Sequence, residues 1–398
     1  MTTEPAADTV ALVLIGDELL SGHTSDANGP WLGRRLTDQG FRVVSAMTTP
    51  DNVEAVVVAV ERGLADARTV LVTGGLGPTN DDVTRTALQR LAASRVQAEL
   101  ANELGSESGA RIRRGNAVVY AVPGVPAEMR SMVDRQVLPE LVAATRGLSA
   151  PAFRSLIVIG MPEPRIAELL APVEAQLAGR GGIGYLPHPA EVEVRIVATG
   201  ADAETIVMTA TARAQEILGD VVAAVDERLE VAIVESLRSN DRTVATAESL
   251  TGGLVCASLV SVPGASEVVR GAVVAYATEL KADLVAVPAE VLARDGAVSS
   301  ATASAMAAGV RARCRADFGV ATTGVAGPDS QEGHPAGTMH VAVAFDGGLR
   351  VGSFEPNVAS RDRDTVRRLA VVRALDLLRR SAAGLGPGVG ESSPPRTR

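Results

Sequence analysis

Lysine is almost absent from this 398-residue chain: among its 38 Lys and Arg residues, Lys281 is the only lysine. Aromatic residues make up 2%, with one Trp, three Tyr and five Phe. That scarcity leaves Val, Ala, Leu and Ile to build the core, and it argues against a base-stacking platform for nucleic acid. Cysteine is limited to Cys256 and Cys314, so neither a disulfide framework nor a cysteine-rich zinc site is expected. Positive charge is not in excess. The net charge of −9 supplies no basic field for nucleic acid, although local arginines and helix N-termini can still bind small anions. No apolar run approaches the ~20 residues of a membrane helix, so no membrane partner is expected. The opening MTTEPAADTV is polar and acidic, without the pattern of a secretory signal, and the expected location is the cytoplasm. The four histidines, His23, His188, His334 and His340, are scattered and form no ligand cluster.

What is present is 46% hydrophobic residues and 39 glycines, in a length that suits two or three domains. VALVLIG (10–16), RVVSAM (42–47), TVLVTGG (69–75) and AVVYAV (117–122) read as short apolar strands. Helical stretches at 28–40, 52–66, 81–93 and 127–145 alternate with them. This rhythm predicts an α/β domain over 8–148, three layers around a parallel sheet. A break at RGLSAP (146–151) leads into a small α+β module, 152–225, with strands at 155–160 and 191–200, helices near 163–178 and 203–218, and a loop, AGRGGIGYLPHP (178–189). The third part, 228–382, is again α/β. It reads as a helix (231–240), the strand TVATAE (243–248), a helix opened by LTGGLVCASLVSV (250–262), the strand GAVVAYA (271–277), a helix (298–314) and the strand DFGVATTG (317–324). A hairpin follows over 338–354, turning at Asp346-Gly347, and then an amphipathic helix near 363–382. The Gly- and Pro-rich tail, 383–398, is expected to be disordered.

LVTGGLGPTNDDVT (71–84) joins a strand to a helix, and backbone N–H groups at such a turn can hold an anion. It lacks the Gly-Lys-Ser/Thr of a P-loop and the third glycine of the dinucleotide fingerprint. The turn is a candidate ligand site on its spacing, while Thr79 and Asp82 also read as a capping box beside a plain tight turn. GDELLSG (16–22) follows another strand, so Asp17, Glu18, Asp81 and Asp82 could converge on one crevice at the sheet edge. Carboxylates beside a phosphate loop suit a divalent metal; helix capping by each is the alternative. Together with PGVPAEM (123–129), these stretches resemble the molybdopterin-binding-type domain of the competence/damage-inducible protein A (CinA) family over roughly residues 8–145. The resemblance implies a three-layer fold and, as in some members, hydrolysis of ADP-ribose with a divalent metal and potassium. It implies phosphate or metal contacts from Asp81, Asp82 and the backbone of Gly74, Gly75 and Gly77, with Asp82 as the metal ligand. Before PGVP the chain departs from the family pattern, because ELGSESGARIRRGNAVVYAV stands where members usually carry a longer segment with a Gly-Thr-Ala-Pro-Gly-like loop.

ATAESLTGG (245–253) is a second strand-to-helix turn. A hydroxyl there, Ser249 or Thr251, can be a nucleophile, with N–H groups near Gly252 and Gly253 holding an oxyanion and the glycines admitting a substrate. Either hydroxyl could instead cap the helix. Lys281 bears on the choice. A serine needs a base, and a lysine desolvated in an apolar pocket can be one, whereas arginine stays protonated. A chain that uses arginine for every other cation would keep lysine where the proton must leave. The alternative is a chance lysine on a solvated helix, which the neighbours Glu279 and Asp283 fit. Tyr276, five residues earlier, could relay a proton or orient the amine.

AESLTGG, the pair Tyr276 and Lys281, GAVS (296–299), TGVAGP (323–328) and PAGTMH (335–340) resemble, as an ordered set, the nicotinamide mononucleotide (NMN) deamidase domain of the same CinA family, over roughly 230–380. The resemblance implies hydrolysis of the NMN carboxamide to nicotinate mononucleotide and ammonia, with no cofactor for that step. It implies Ser249 as nucleophile, Lys281 as base and Tyr276 as assistant, with Thr323, Gly324 and Gly327 wrapping the substrate. Arg363 and Arg367 are candidates for its phosphate. Many members have cysteine where this chain has Leu250, which excludes a thiol nucleophile there and leaves serine as the better choice. Many also have Ser-Asn where this chain has Ala277-Thr278. The expected partner is a small nucleotide substrate, and the family resemblance adds a homodimer. Two other readings stand beside this amidohydrolase: a metal-dependent ADP-ribose pyrophosphatase in the N-terminal domain, and a non-catalytic nucleotide or pterin sensor.

Overall fold

A computed structural model describes residues 5–79, 82–92, 98–145, 148, 150–355, 362–388 and 390–392. They divide into two compact units, Met1–Ala152 with Thr199–Ala203, and Phe153–Ala198 with Glu204–Arg398. No described helix is long and apolar enough to cross a membrane.

The first unit holds strands β1 (Thr9–Ile15), β2 (Arg42–Thr49), β3 (Thr69–Thr73), β4 (Ala98–Leu100), β5 (Gly109–Arg114) and β6 (Ala117–Val122) in the order β2-β1-β3-β6-β5-β4. The first four in that order pair in parallel, and β5 and β4 add antiparallel. Strands β1 and β3 are buried throughout, which is why they read as continuous apolar runs. Alternate residues feed two cores. Ala11, Val13 and Ile15 pack with Val56, Val60 and Leu88, while Val10 and Leu12 pack with Leu32, Leu36 and Met129. The covering helices are α1 (Asp17–Leu20), α2 (Asn28–Thr37), α3 (Val53–Asp66), α4 (Thr84–Ala92), α5 (Pro126–Met132) and α6 (Leu138–Ala144). The three-layer expectation holds, with a mixed rather than wholly parallel sheet. The extra hairpin lies in GARIRRGNAV, where arginines alternate with apolar residues and Arg114 pairs with Ala117 across Gly115-Asn116.

In the second unit, β7 (Ala152–Ile159), β8 (Gly181–His188), β9 (Glu191–Ala198) and β10 (Val222–Val225) form a sheet in the order β10-β7-β9-β8, with α7 (Glu163–Leu177) and α8 (Ala203–Leu218). The loop expected at 178–189 is mostly strand β8, paired with β9 along its whole length. Glycine hides that strand from propensity. It is also required there, since a Cβ on Gly181 would sit 1.9 Å from the Val197 carbonyl oxygen.

The third sheet runs β12-β11-β13-β14-β15-β16, from β11 (Val244–Glu248), β12 (Val269–Val274), β13 (Phe318–Gly324), β14 (Met339–Phe345), β15 (Gly348–Phe354) and β16 (Glu391–Ser392). Its helices are α9 (Leu229–Ser239), α10 (Leu254–Val260), α11 (Thr278–Val285), α12 (Ala289–Asp295), α13 (Ser300–Cys314) and α14 (Arg363–Ala382). Ala245, Ala247, Ala321 and Ala342 face α13 on one side. Val244, Phe318, Val320 and Val341 face α9, α10 and α14 on the other. The sheet is thin toward α13 because that helix lies almost on the strands: a Cβ on Gly319 would meet the Ala307 carbonyl oxygen at 2.1 Å. Ile157, Ile159, Ala223 and Ala224 of the middle sheet enter the same core as α9 and α14. The three sequence segments therefore make two compact units.

The tail expected to be disordered is ordered in part. Gly386 O accepts hydrogen bonds from Arg380 Nε and Nη2 at 3.0 and 2.8 Å. Further on, β16 pairs with β15, whose outer edge offers unpaired backbone groups to any passing strand. Residues 393–398 lie outside the described residues.

Candidate active site

Strand β11 ends on Glu248, a carboxylate with no solvent exposure. Its Oε2 accepts hydrogen bonds from the Thr251 hydroxyl at 2.6 Å and from the N–H groups of Gly253 and Val255 at 2.9 and 3.0 Å. Its Oε1 accepts from the Thr246 hydroxyl at 3.0 Å and from Cys256 N–H at 2.8 Å. Five donors converge on one side chain, so the strand's last residue caps the helix that follows. Closing so tight a turn needs left-handed backbone, at Gly252 (φ 61°) and Gly253 (φ 99°). The result is Ser249 held at the sheet edge, its N–H bonded to Thr322 O at 3.0 Å.

Two expectations change here. Neither Ser249 nor Thr251 caps α10, because Glu248 does. The glycine N–H groups are not free for an oxyanion either: Gly253 N–H is bound to Glu248, and Gly252 N–H donates to Ser249 O at 3.2 Å. The next donor along is Leu250 N–H. It follows Ser249 directly, Leu250 lines the cavity described below, and its N–H has no hydrogen-bond partner among the described residues.

Lys281 sits in the middle of α11, turned inward with Val285 one turn later, and is 2% exposed. Glu279 and Asp283 flank it in sequence, yet the lysine is not on a solvated face. Its Nζ lies 3.1 Å from Ser249 Oγ and donates to Ala275 O at 3.0 Å and Tyr276 O at 3.3 Å. A neutral amine has two N–H bonds and one lone pair. The two carbonyls take the N–H bonds, and the lone pair is left for the serine O–H. Burial pushes the amine below the ordinary lysine range, against the opposing pull of Glu332 and Glu279.

Ser249 and Lys281 border a cavity of 290 Å³ that also meets Tyr276, Thr323, Gly324, Gly327 and Arg363, close to the ~300 Å³ lower end for small-molecule sites. Thr323 donates its hydroxyl to Ala297 O at 2.7 Å. Gly324 and Gly327 have no room for a side chain, since a Cβ would meet Thr338 O at 2.5 Å or Ala336 Cβ at 2.8 Å. Tyr276 is displaced from its expected role. Its ring is 59% exposed, and its hydroxyl accepts from Arg363 Nη2 at 2.7 Å. It serves the dyad through its backbone carbonyl. Arg363 also donates to Gly327 O at 2.8 Å and stands at the cavity. Arg367 does not; it donates to Thr251 O at 2.9 Å and braces the serine turn from behind. Glu332 was not singled out from sequence. Its Oε2 accepts from Ala297 and Val298 N–H at 2.8 and 3.2 Å, pinning the loop after TGVAGP against GAVS.

In the first unit, a smaller cavity of 150 Å³ is bordered by Glu18, Asp26, Asn28, Thr73 and Gly124. Asn28 donates to Gly124 O at 2.7 Å, and its buried Oδ1 has no partner among the described residues. Of the carboxylates expected to converge, Glu18 alone borders this cavity. Asp17 N–H is bonded to Asp51 Oδ2 at 2.8 Å, and Asp81 lies outside the described residues. Asp82 turns back on its own loop, where Oδ2 accepts from Thr79 N–H at 2.8 Å and from the Thr79 hydroxyl. Gly74, Gly75 and Gly77 do not border the cavity. Gly74 and Gly75 bond to Thr84 through their carbonyls, at 2.7 and 3.0 Å, and a Cβ on Gly77 would strike Asp82 at 2.6 Å. Among the described residues no group of three or more His, Cys, Asp or Glu side chains is placed to hold a metal ion.

Comparison with known proteins adds three family matches: the CinA C-terminal domain over 226–382, the probable molybdopterin binding domain over 11–143, and the damage-inducible protein CinA KH domain over 153–234. A CinA-like protein of Frankia casuarinae is 38% identical over 419 residues, covering 94% of this chain and 96% of the relative. One from Citrifermentans bemidjiense is 34% identical over 414 residues, covering 93% and 97%. Among solved structures, a CinA superfamily protein from Klebsiella pneumoniae is 31% identical and covers 39% of this chain and 96% of its own, with a TM-score of 0.37.

Proposed function

This chain belongs to the CinA family, and on that footing we propose that it is an amidohydrolase converting nicotinamide mononucleotide and water to nicotinate mononucleotide and ammonia. The observation that carries the reading is the 3.1 Å approach of Lys281 Nζ to Ser249 Oγ at the wall of a 290 Å³ cavity. Neutral Lys281 takes the Ser249 proton as Oγ attacks the carboxamide carbon. The oxyanion that forms is met by Leu250 N–H, as expected for the residue after a nucleophile at such a turn. The lysine ammonium then passes its proton to the departing nitrogen, which leaves as ammonia. The nicotinoyl ester on Ser249 is attacked by water, whose proton Lys281 accepts, and the carboxylate product is released with the serine reprotonated. Arg363 is the phosphate partner at the rim. The chemistry needs only groups of this chain and water.

Burial lowers the Lys281 pKa, so the base form is populated at lower pH than for an exposed lysine. On the acid side, kcat/KM should climb about tenfold per pH unit and then level off. The plateau should begin below 10.5, the ordinary lysine value. Ammonia release followed from about pH 5 to about pH 10 checks this. A flat profile, or a rate still climbing tenfold per unit at about pH 10 with no plateau in sight, would count against this lysine as a base of lowered pKa.

A further inference from the structure

A second cavity, of 480 Å³, lies in the same compact unit between the middle sheet and the outer faces of α9, α10 and α14. Its floor is apolar, formed by Ile157, Leu229, Leu254, Val371 and Val372. Its rim is charged, and most of those charges are matched. Arg228 pairs with Glu230 at 2.9 Å, Arg368 with Asp364 at 2.6 Å, and His188 stands 4.0 Å from Glu193. The exception is Glu191, at the start of β9. Its carboxylate has no hydrogen bond or ion pair among the described residues, although it is partly buried and borders the cavity. Burial and the facing Glu230 and Glu193 make its negative charge costly, and His188 offsets this in part.

A half-buried carboxylate over an apolar floor selects among ligands. A neutral molecule would bury it further with at best a hydrogen bond and no compensating charge, at a cost. An anion would meet four carboxylates, with both arginines already paired. A cation with an apolar body satisfies both surfaces. The position also matters. Leu254 and Ser258 lie on α10, whose first turn is capped together with the Ser249 turn, and Asp364 and Arg368 alternate along α14 with Arg363 and Arg367. Occupying this cavity therefore bears on the two helices that shape the catalytic one.

We propose that this cavity is an effector site for a small organic cation with an apolar body, anchored by the Glu191 carboxylate. The effector role rests on the amidohydrolase reading; the binding does not. The test uses the full-length protein and benzyltrimethylammonium as the probe in isothermal titration calorimetry, with benzoate as the anionic control. Saturable binding of the cation is expected, with affinity lowered about tenfold or more by Glu191→Gln and by the cavity-filling Val372→Phe. Thermal midpoints of both variants establish that they are folded. The site is overturned if the cation fails to saturate at about 20 mM, a weak limit even for a fragment. It is equally overturned if benzoate binds as well, or if both folded variants bind like the wild type. In the second arm, saturating probe should change NMN turnover by about twofold or more in the wild type and leave Glu191→Gln unaffected. Binding without that change overturns the effector role. A wild type that binds the probe but never turns over NMN refutes the amidohydrolase reading and leaves the cation site standing.

Discussion

Lys281→Arg should abolish ammonia release from nicotinamide mononucleotide, lowering kcat by at least about a thousandfold. The substitution keeps a long basic side chain with N–H donors of the kind that Ala275 O and Tyr276 O accept from Lys281. What it removes is the neutral state. A guanidinium does not give up its proton near neutral pH, so it offers Ser249 no lone pair. A base and its nucleophile act as a unit, and their losses do not add. Ser249→Ala should therefore fall to the same residual rate, and the double variant should be no worse than either single one. Lys281→Met separates charge from base: it removes the buried amine without replacing it by a permanent cation, and it should be equally inactive. The assay is initial-rate ammonia release from folded protein. Turnover by Lys281→Arg within tenfold of the wild type would end the dyad hypothesis.

Glu248→Ala should be the most destabilising single change at the site, costing about 3–5 kcal/mol. Two hydroxyls and three backbone N–H groups converge on that carboxylate, and an alanine takes the acceptor from the three N–H groups and the Thr246 hydroxyl, leaving the Thr251 hydroxyl only its contact with the Thr322 hydroxyl at 2.7 Å. Glu248→Gln retains one acceptor but turns an NH₂ group toward N–H donors, so it should recover only part of the loss. Thermal unfolding reads the effect, with the midpoint of the alanine variant lower by roughly 8 °C or more. An alanine variant that unfolds with the wild type would show that the carboxylate does not hold the turn. Activity should fall as well, because Ser249 and Leu250 N–H are presented by that same turn.

Much of the candidate pair, Ser249 and Lys281, could be read from the order of residues alone. Ser249 lies in a local pattern, a strand followed by Gly-Gly and a helix, and local patterns survive in a sequence. Lys281 stood out because the chain uses arginine everywhere else. What escaped were partners brought together over long separations. Arg363 reaches Tyr276 across 87 residues, and Glu332 reaches Ala297 across 35; neither carboxylate nor guanidinium advertises its partner. Glu248 did leave a local sign, a lone charge closing an otherwise small and apolar strand just before two glycines. Its meaning depends on burial, which the sequence does not print. The N-terminal loop shows one residue type serving two readings: glycines that suit a phosphate cradle also make room in the fold for Thr84, Ile15 and Asp82. Strand β8 was hidden for a related reason: glycine is chosen there for proximity, and a propensity reading takes it for a break.

Helix α14 bears on how far the chain is modular. Its 20 residues span about 30 Å at 1.5 Å per residue. Arg363 at one end stands at the cavity that Ser249 and Lys281 border. At the other end, Arg379 and Arg380 grip the Asp220 carbonyl at 3.0 and 3.2 Å, just before the last strand of the middle sheet. Along the way the helix shares a core with Ile157 and Ala224. Excising the last segment near residue 228 would therefore do more than remove a neighbour. It would uncover apolar surface on α9 and α14 and strip two arginines of an acceptor. In this chain the second unit with its middle sheet attached is the piece that leaves that shared core and those two arginine contacts undisturbed.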